Sequence, residues 1–259
     1  MKMNKEVAGY IERKTMLYKT DVEYGDYTMN HIQGCAHGCN YPCYAYLMAK
    51  RFGKVKKYEE WLQPYLVKNT LDLLNIEIPK LKNKIQMVQL CFTTDPFMYG
   101  YDEIKEMTLA SITKLNEALI PCSVLTKGIL PKKLIKCSKE NIYGITLVSL
   151  SNKFHDNYEP YSADITSRIN ALKYLHENGC KTWVSMEPYP TPNIIEQDIR
   201  VILDKISFVD KIVFGRTNYN TLISSYKNHK EFYNNQAQIV IDYCEKNNKQ
   251  YHIKNGTIT

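Results

Sequence analysis

Apolar residues along this chain alternate between short runs typical of buried strands and longer stretches with helical spacing. The predicted strands are Tyr27–Ile32, Ile85–Phe92, Ser123–Thr126, Ile145–Ser149, Thr182–Met186, Lys211–Phe214 and Tyr251–Ile253. The predicted helices are Tyr58–Leu74, Glu103–Leu119, Pro131–Cys137, Ala163–Asn178, Ile194–Leu203 and Glu231–Asn247. Such alternation predicts an α/β fold with a parallel sheet, in which functional side chains gather in the loops that follow the strands.

Three cysteines, Cys35, Cys39 and Cys43, stand within nine residues and predict a metal site. Structural zinc, with His37 as a fourth ligand, fits the permitted ligand types, but no second pair of ligands follows. Buried or disulfide-bonded thiols are a further alternative, although the glycines and proline of this segment would bury thiols poorly. An iron–sulfur cluster fits best, because three thiolates leave one iron free to bind another group.

Composition and charge indicate the cellular compartment and the kind of partner to expect. No apolar run approaches the length of a membrane span, and the first residues have no hydrophobic signal core. Of the eight cysteines, those outside the short segment are scattered, which is typical of free thiols in a reducing compartment. We therefore expect a cytoplasmic protein with no membrane partner. The net charge of +7 favours an anionic partner.

Polar residues follow several of the predicted strands. They are Thr94 and Asp95, Lys127, Ser149 and Ser151, Glu187, and the group Arg216, Asn218 and Lys254. Each has an ordinary structural alternative: Asp95 before a proline suits a turn, Lys127 suits the solvated surface, and Arg168 in a helix could form a salt bridge with Glu159. Strand ends of a parallel barrel meet on one face, so we expect these residues to lie around one opening.

The segment from Gly34 to Tyr46 resembles the cluster loop of radical S-adenosylmethionine (SAM) enzymes, C-x3-C-x2-C, with one extra residue in the last gap. Its His37 and tyrosine-rich exit are similar to the spore photoproduct lyase-like subgroup. The resemblance implies a partial (β/α)6 TIM-type barrel that carries a [4Fe–4S] cluster and SAM. It also implies reductive cleavage of SAM to a 5′-deoxyadenosyl radical, which abstracts hydrogen from a substrate.

Roles for individual residues follow from the same resemblance. It implies that Cys35, Cys39 and Cys43 bind the cluster. Tyr41 would lie against the adenine, Thr94 and Asp95 would hold the SAM amino group, and Lys127 would hold its carboxylate. The remaining expected contacts are Ser149 and Ser151 with the ribose, Arg168 with a carboxylate, Glu187 with the cofactor, Tyr44 as a hydrogen-atom relay, and Arg216, Asn218 and Lys254 with the substrate.

The subgroup also has a hydrogen-donating cysteine three residues before the Asp of its Thr-Asp-Pro-type segment. Here that position is Phe92, and the nearest cysteine, Cys91, is one residue away. Because neighbouring strand residues face opposite sides, we expect Cys91 to point away from the site that Phe92 faces. The same thiol route is therefore not expected in this chain.

Length and the lack of repeats predict one domain over residues 1–259, with an N-terminal extension (1–24), a core barrel (25–215), and a C-terminal helix and last strand (216–259). The expected partners are a substrate, with nucleic acid or a protein as candidates, and an electron donor such as flavodoxin or ferredoxin. The competing function is a non-catalytic zinc or iron–sulfur module that regulates association with nucleic acid.

Overall fold

The computed structural model describes residues 4–21, 23–41, 43–218 and 220–259. Its strands are β1 (Gly9–Ile11), β2 (Leu17–Lys19), β3 (Tyr27–Met29), β4 (Ile32–Gln33), β5 (Tyr65–Val67), β6 (Val88–Leu90), β7 (Cys122–Thr126), β8 (Ile142–Thr146), β9 (Lys181–Tyr189), β10 (Lys211–Arg216) and β11 (Gln250–Ile253). Its α-helices are α1 (Tyr44–Arg51), α2 (Tyr58–Trp61), α3 (Thr70–Leu81), α4 (Asp102–Glu117), α5 (Asn152–Tyr158), α6 (Ile165–Glu177), α7 (Ile199–Lys205), α8 (Thr221–Ser224) and α9 (His229–Lys246). A 3-10 helix spans Lys132–Lys136.

The main sheet has eight strands in the spatial order β11-β10-β9-β8-β7-β6-β3-β2. All its neighbouring pairs from β3 to β11 are parallel, and β2 pairs with β3 in the antiparallel sense. Strands β2 and β11 are its two edges, so the sheet forms a partial barrel. This confirms the predicted α/β class and the partial (β/α)6 architecture.

The central parallel strands are buried on both faces. Residues of β6 are buried on both sides, and β7 and β8 are buried at all but one position each. One large apolar cluster packs these strands against the surrounding helices. Helix α6 begins where the Asp164 carboxylate accepts a hydrogen bond from the Ser167 amide at 2.8 Å, and it ends before Gly179, whose φ is +74°. The helix predicted over Ala163–Asn178 is confirmed.

The single helix predicted over Tyr58–Leu74 is wrong. Helix α2 ends at Trp61, strand β5 follows, and α3 begins at Thr70. The proline at position 64 disfavours helical backbone in Gln63 before it and ends the first helix. Strand β5 then pairs with β1 and β4 in a second sheet of order β1-β5-β4, where it buries Leu66 and Val67.

Other boundaries differ by a few residues. The strand predicted over Tyr27–Ile32 divides into β3 and β4, which belong to different sheets. Strand β8 ends at Thr146, earlier than predicted, so Ser149 lies in the following loop. Helix α7 begins only after Asp198, whose side chain accepts a hydrogen bond from the Arg200 amide. Among the described residues, no helix combines the length and apolar character needed to cross a bilayer.

Candidate active site

A cavity of about 430 Å³ opens at the carboxyl ends of the parallel strands. It brings together all but three of the residues that the sequence predicts for the site. These are Cys35, Cys39, Tyr41, Cys43, Tyr44, Thr94, Asp95, Lys127, Glu187, Arg216, Asn218 and Lys254. The exceptions are Ser149, Ser151 and Arg168. The expectation that polar strand ends share one opening therefore holds for this set.

The loop between β4 and α1 carries the three cysteines. The Cys35 amide donates a hydrogen bond to the Trp61 carbonyl at 2.8 Å, which ties the start of the loop to the end of α2. The eight cysteines of the chain are all free thiols, so the disulfide alternative fails. Within the described residues, which omit Pro42 of this loop, no three His, Cys, Asp or Glu side chains already surround one metal position. The ligand set remains a prediction, supported by three thiols on one cavity wall.

The local electrostatics suit a cationic group at these thiols. Burial raises the pKa of Cys39 to about 11, although the Lys127 ammonium acts in the opposite direction. Burial and the charge of Asp95 raise the pKa of Cys35 well above its ordinary value. Thiols of this kind become thiolates when a metal centre replaces the proton. The donor set therefore fits a [4Fe–4S] cluster.

The ring of His37 is engaged by protein groups on both of its nitrogens. Its Nε2 accepts a hydrogen bond from the Tyr99 amide at 3.0 Å, so the proton resides on Nδ1, which lies 3.4 Å from Asp95 Oδ2. Burial lowers the pKa of His37 to about 4, so the ring is neutral at physiological pH. Both ring nitrogens have protein partners, and the zinc alternative with His37 as fourth ligand is therefore not supported.

Asp95 is buried and links the loops that follow β6 and β7. Its Oδ1 accepts hydrogen bonds from the Thr126 hydroxyl at 2.6 Å and the Phe97 amide at 2.9 Å. Its Oδ2 accepts one from the Lys127 amide at 2.7 Å and also faces His37. A carboxylate with this many partners holds the wall of the cavity in shape, and little of its accepting capacity remains for a ligand.

Two other buried acceptors at the cavity have no such partners. The Gln89 side-chain oxygen and the Thr94 hydroxyl oxygen accept no hydrogen bond from the described part of the chain, although the Thr94 hydroxyl interacts with the Cys91 thiol. Buried polar atoms are rarely left unpaired, so each of these oxygens is available to accept a hydrogen bond from a bound molecule, either water or a ligand. Sequence reasoning found Thr94 but missed Gln89. The available signal was a polar residue inside the apolar run Ile85–Phe92.

Lys127 lies beside Tyr41 and Glu159 in one wall of the cavity. Its ammonium lies 3.8 Å from a Glu159 carboxylate oxygen and 5.2 Å from the centre of the Tyr41 ring. The Tyr41 hydroxyl donates a hydrogen bond to Glu159 at 2.7 Å. Burial works against the charge of Lys127, but Cys39 and Glu159 outweigh it and raise the pKa of the lysine. The solvated-surface alternative for Lys127 is therefore wrong, because its side chain is only 16% exposed.

Arg168 supports this wall from behind. It is 1% exposed and does not line the cavity. Its guanidinium forms an ion pair with Glu159 at 2.7 Å and also donates hydrogen bonds to the Ser162 hydroxyl and the carbonyls of Ala163 and Thr146. The expected contact of Arg168 with the cofactor is corrected, and the alternative, a salt bridge with Glu159, is observed. Helix α6 presents it inward because helical spacing puts it on the same buried face as Ile165, Ile169, Leu172 and Leu175.

Ser149 and Ser151 line a neighbouring cavity of about 530 Å³ instead. The Ser149 hydroxyl accepts a hydrogen bond from the Ser151 amide at 3.1 Å, and the Ser151 hydroxyl caps α5 through the Phe154 amide. Tyr41, Val148 and Phe154 form an apolar cluster at the boundary of the two cavities. The two serines thus keep local structural roles and lie outside the cysteine-lined cavity.

An ion cluster forms the opposite wall. The Lys254 ammonium lies 3.0 Å from Glu23 and 3.3 Å from Glu187, and the Tyr24 ring lies beneath it. Burial raises the pKa of Glu187, although Lys254 acts in the opposite direction. Sequence reasoning missed Glu23 and Tyr24, because they fall in a polar loop with no distinctive pattern. Arg216 and Asn218, bonded to each other at 3.0 Å, complete this side.

Cys91 faces the same cavity as Phe92, contrary to the prediction from strand alternation. Strand β6 ends at Leu90, and Cys91 has a φ of +54°, so the alternation of the strand no longer applies. The Thr108 hydroxyl donates to backbone carbonyls and therefore accepts from His31 Nε2, at 2.8 Å. This leaves His31 Nδ1 to accept from the Cys91 thiol, at 3.4 Å.

Comparisons with known proteins agree with this architecture. The family model of the radical SAM superfamily matches residues 29–206. Uncharacterized protein MJ0683 of Methanocaldococcus jannaschii is 29% identical over 189 residues, which cover 72% of this chain and 68% of that protein. Uncharacterized protein ORF301 of Acidianus two-tailed virus is 24% identical over 189 residues, which cover 70% of this chain and 61% of that protein.

Solved structures share the fold. Spore photoproduct lyase complexed with dinucleoside spore photoproduct has a TM-score of 0.70 at 12% identity, covering 95% of this chain and 80% of that chain. Streptococcus suis SuiB bound to S-adenosylmethionine has a TM-score of 0.51 at 16% identity, covering 71% of this chain and 40% of that chain. The family model spans most of the chain, and the family uses a [4Fe–4S] cluster and SAM. This chain therefore belongs to the radical SAM superfamily, as an enzyme with the fold of spore photoproduct lyase.

Proposed function

We propose that this enzyme cleaves SAM reductively at a [4Fe–4S] cluster bound by Cys35, Cys39 and Cys43, and abstracts hydrogen from a substrate at the mouth of the same cavity. The observation that carries the proposal is the position of three free thiols beside unpaired acceptors and a buried ammonium on one cavity. The cluster supplies the electron and an open iron position when bound.

The polar groups of the cavity fit the two charged ends of the methionine part of SAM. Thr94 and Gln89 offer unpaired oxygen acceptors to its ammonium group. Lys127, with its raised pKa, offers a charged donor to its carboxylate. Asp95 acts by holding the backbone of Lys127 in place and by its negative charge. Tyr41 lies between this cavity and the one beside Ser149, so we assign the adenosine part to that boundary.

The substrate belongs on the side of Arg216, Asn218 and Lys254, where the cavity wall is polar and partly exposed. Tyr44, half exposed at the start of α1, lies where it could pass a hydrogen atom between substrate and cofactor. Nucleic acid is the favoured substrate class, since the chain is basic and its structural neighbour is complexed with a dinucleoside. An electron donor such as flavodoxin or ferredoxin completes the reaction.

Anaerobic reconstitution with iron and sulfide, followed by dithionite and SAM, tests the proposal. We expect 5′-deoxyadenosine from the wild type and none from Cys35→Ala, Cys39→Ala or Cys43→Ala, because each change removes a cluster ligand. Cys137→Ala is the matched control, as this partly buried thiol lies outside the cavity, and it should keep full activity. A protein that binds stoichiometric zinc and forms no 5′-deoxyadenosine would contradict the enzyme and favour the non-catalytic metal-binding module.

A further inference from the structure

A strongly basic segment lies at the far end of a helix that starts at the cavity. Helix α1 begins at Tyr44, which lines the cavity, and its last two residues, Lys50 and Arg51, open the segment 50–57, here called the basic loop. Its cations are Lys50, Arg51, Lys54, Lys56 and Lys57, and all of their side chains are exposed. Within the described residues, none of them forms a salt bridge, unlike many other lysines of the chain. The loop thus concentrates five positive charges, against the two carboxylates of Glu59 and Glu60 that follow it.

The loop is held in place although its charges face solvent. Val55 is buried in an apolar cluster with Ala49 and Trp61, and Cys35 packs against the same cluster. The Lys54 amide donates a hydrogen bond to the Ala49 carbonyl, and the Lys56 amide donates one to the Glu60 carboxylate. The loop therefore shares its support with the first cysteine of the site. Its charged side chains therefore extend into solvent from a backbone that is packed beside that site.

Exposed aromatic rings lie at both ends of α1 and over the cysteine loop. Phe52, at the end of α1, is 67% exposed, and Tyr44 and Tyr161 are about half exposed. Tyr161 lies over the cysteine loop, where its ring would be 2.6 Å from a Cβ at Gly38. Cations close to the helix end also stabilise the helix dipole, which accounts for Lys50 and Arg51. It does not account for an exposed phenylalanine or for the three lysines after it.

We propose that the basic loop binds the phosphate backbone of a nucleic acid whose reacting nucleotide enters the cavity, and that Phe52 stacks on a neighbouring base. Lysines and arginines interleaved with exposed aromatic rings suit single-stranded nucleic acid, because phosphates take the charges and bases take the rings. The helical rise from Tyr44 to Lys50, the first residue of the basic loop, is about 9 Å. At roughly 3.4 Å of axis per phosphate, that distance corresponds to about three nucleotides.

This inference rests on the proposed function, whose substrate side it specifies, so its test must separate the two. The reconstituted holoenzyme is titrated by fluorescence anisotropy with labelled single-stranded DNA and RNA of mixed sequence at several KCl concentrations. The variants are Phe52→Ala and the triple change Lys54→Gln, Lys56→Gln and Lys57→Gln. The matched control is the triple change Lys80→Gln, Lys82→Gln and Lys84→Gln, in exposed lysines before the amino end of β6.

The basic-loop triple variant should weaken binding at least about tenfold and reduce the slope of log affinity against log salt by about 2, because each phosphate contact contributes roughly 0.7. Phe52→Ala should weaken binding at least about fivefold without changing the slope, since it removes stacking and no charge. The control triple should leave both quantities nearly unchanged. Equal losses in the two triple variants would show that net charge alone is responsible and would overturn the proposal.

Cleavage of SAM with dithionite needs no nucleic acid, so it should be the same in every variant. If the wild type forms no 5′-deoxyadenosine while nucleic-acid binding behaves as expected, the proposed function fails and the basic loop stands. If the basic-loop variants bind nucleic acid normally but are reduced more slowly by flavodoxin, the loop binds an acidic electron donor. That result would also overturn the inference.

Discussion

Glu159 connects three residues that form one wall of the cavity. Its carboxylate accepts from the Tyr41 hydroxyl at 2.7 Å, pairs with Arg168 at 2.7 Å, and lies 3.8 Å from the Lys127 ammonium. Its side chain is only 5% exposed, so none of these charges is fully solvated. Buried charges are tolerated only as a set, because each requires the others as partners. The position of Lys127 in the cavity therefore depends on a glutamate that does not touch the cavity itself.

Replacing this carboxylate by an amide should be costly. Glu159→Gln leaves the Arg168 guanidinium buried without its counter-ion, so we expect the free energy of unfolding to fall by about 3 kcal/mol. Glu177→Gln makes the same chemical change in the exposed pair with Lys173 and should cost less than about 1 kcal/mol. Urea denaturation of both variants and the wild type measures the difference. Equal effects of the two changes would mean that the buried pair contributes nothing beyond a surface pair.

The same pair has a defined pH dependence. Burial acts to raise the pKa of Glu159, but the charges of Lys127 and Arg168 outweigh it and hold the pKa below its ordinary value of 4.5. Because the pKa of Glu159 is lower in the folded state than in the unfolded state, its ionised carboxylate stabilises the fold fully at pH values above the unfolded-state pKa. This stabilisation is lost as the pH falls through the folded-state pKa. The stability difference between wild type and Glu159→Gln should therefore be constant near neutral pH and shrink below about pH 4.5. Denaturation curves at a series of acidic pH values would reveal a constant gap if this assignment is wrong.

The sequence predicts the positions of several site residues but not the contacts that they make. Asp95 and Lys127 follow strands, and that position alone was enough to place them at the cavity. Which oxygen atoms remain unpaired there is set by contacts between distant segments, such as Thr126 with Asp95. No local pattern encodes such contacts. Only the structure therefore shows that Thr94 and Gln89, rather than Asp95, have oxygen atoms available to a ligand. Arg168 shows the same limit, because a helical position does not state which way a long side chain extends.

At the scale of elements, the cysteine loop connects the small sheet to a helix. It leaves β4 of the small sheet and enters α1, and Cys35 is tied to the end of α2. The small sheet escaped prediction because its strands have two or three residues, too few to show an alternating pattern. Long elements with marked periodicity, such as α4 and α6, were predicted correctly. The part that supports the candidate cluster is thus the part with the weakest sequence signal.

The backbone at Gly34 packs too closely against the residues that end α2 to admit a side chain. Its φ is +87°, and a Cβ there would lie 2.5 Å from the Gln63 carbonyl oxygen, so Gly34→Ala must displace the loop before Cys35. We expect this variant to incorporate less than about half the iron of the wild type on reconstitution. Gly53→Ala is the matched control, since Gly53 also has a positive φ, of +68°, but has nothing within 4 Å of the added atom. Iron and sulfide analysis compares them, and similar losses would attribute the effect to backbone strain alone.

At the scale of the whole molecule, side chains join the two edges of the main sheet. Glu23, in the loop after the edge strand β2, lies 3.1 Å from His252 of the other edge strand, β11, and 3.0 Å from Lys254 just beyond it. The alternation of strands and helices predicted the parallel sheet, and the resemblance of the cysteine segment implied the partial barrel. This junction was not predictable, because it brings together residues about 230 positions apart, in a polar loop and near the C-terminus. The partial barrel is therefore narrowed by an ion cluster that also forms a wall of the cavity.

Removing the central cation of this cluster should loosen that junction. Lys254→Met leaves Glu23 and Glu187, each about a quarter exposed, without the ammonium between them, so we expect a loss of about 2 kcal/mol in unfolding free energy. Hydrogen exchange should increase in β11 and in residues 23–27 while β7 and β8 stay protected, because the loss is local to the two sheet edges. Lys181→Met removes a more exposed ammonium paired with Glu140 at the opposite end of β9, and it should change neither quantity appreciably. Unaltered exchange at β11 in Lys254→Met would mean that backbone pairing alone holds this edge, and that the ion cluster shapes the cavity without narrowing the barrel.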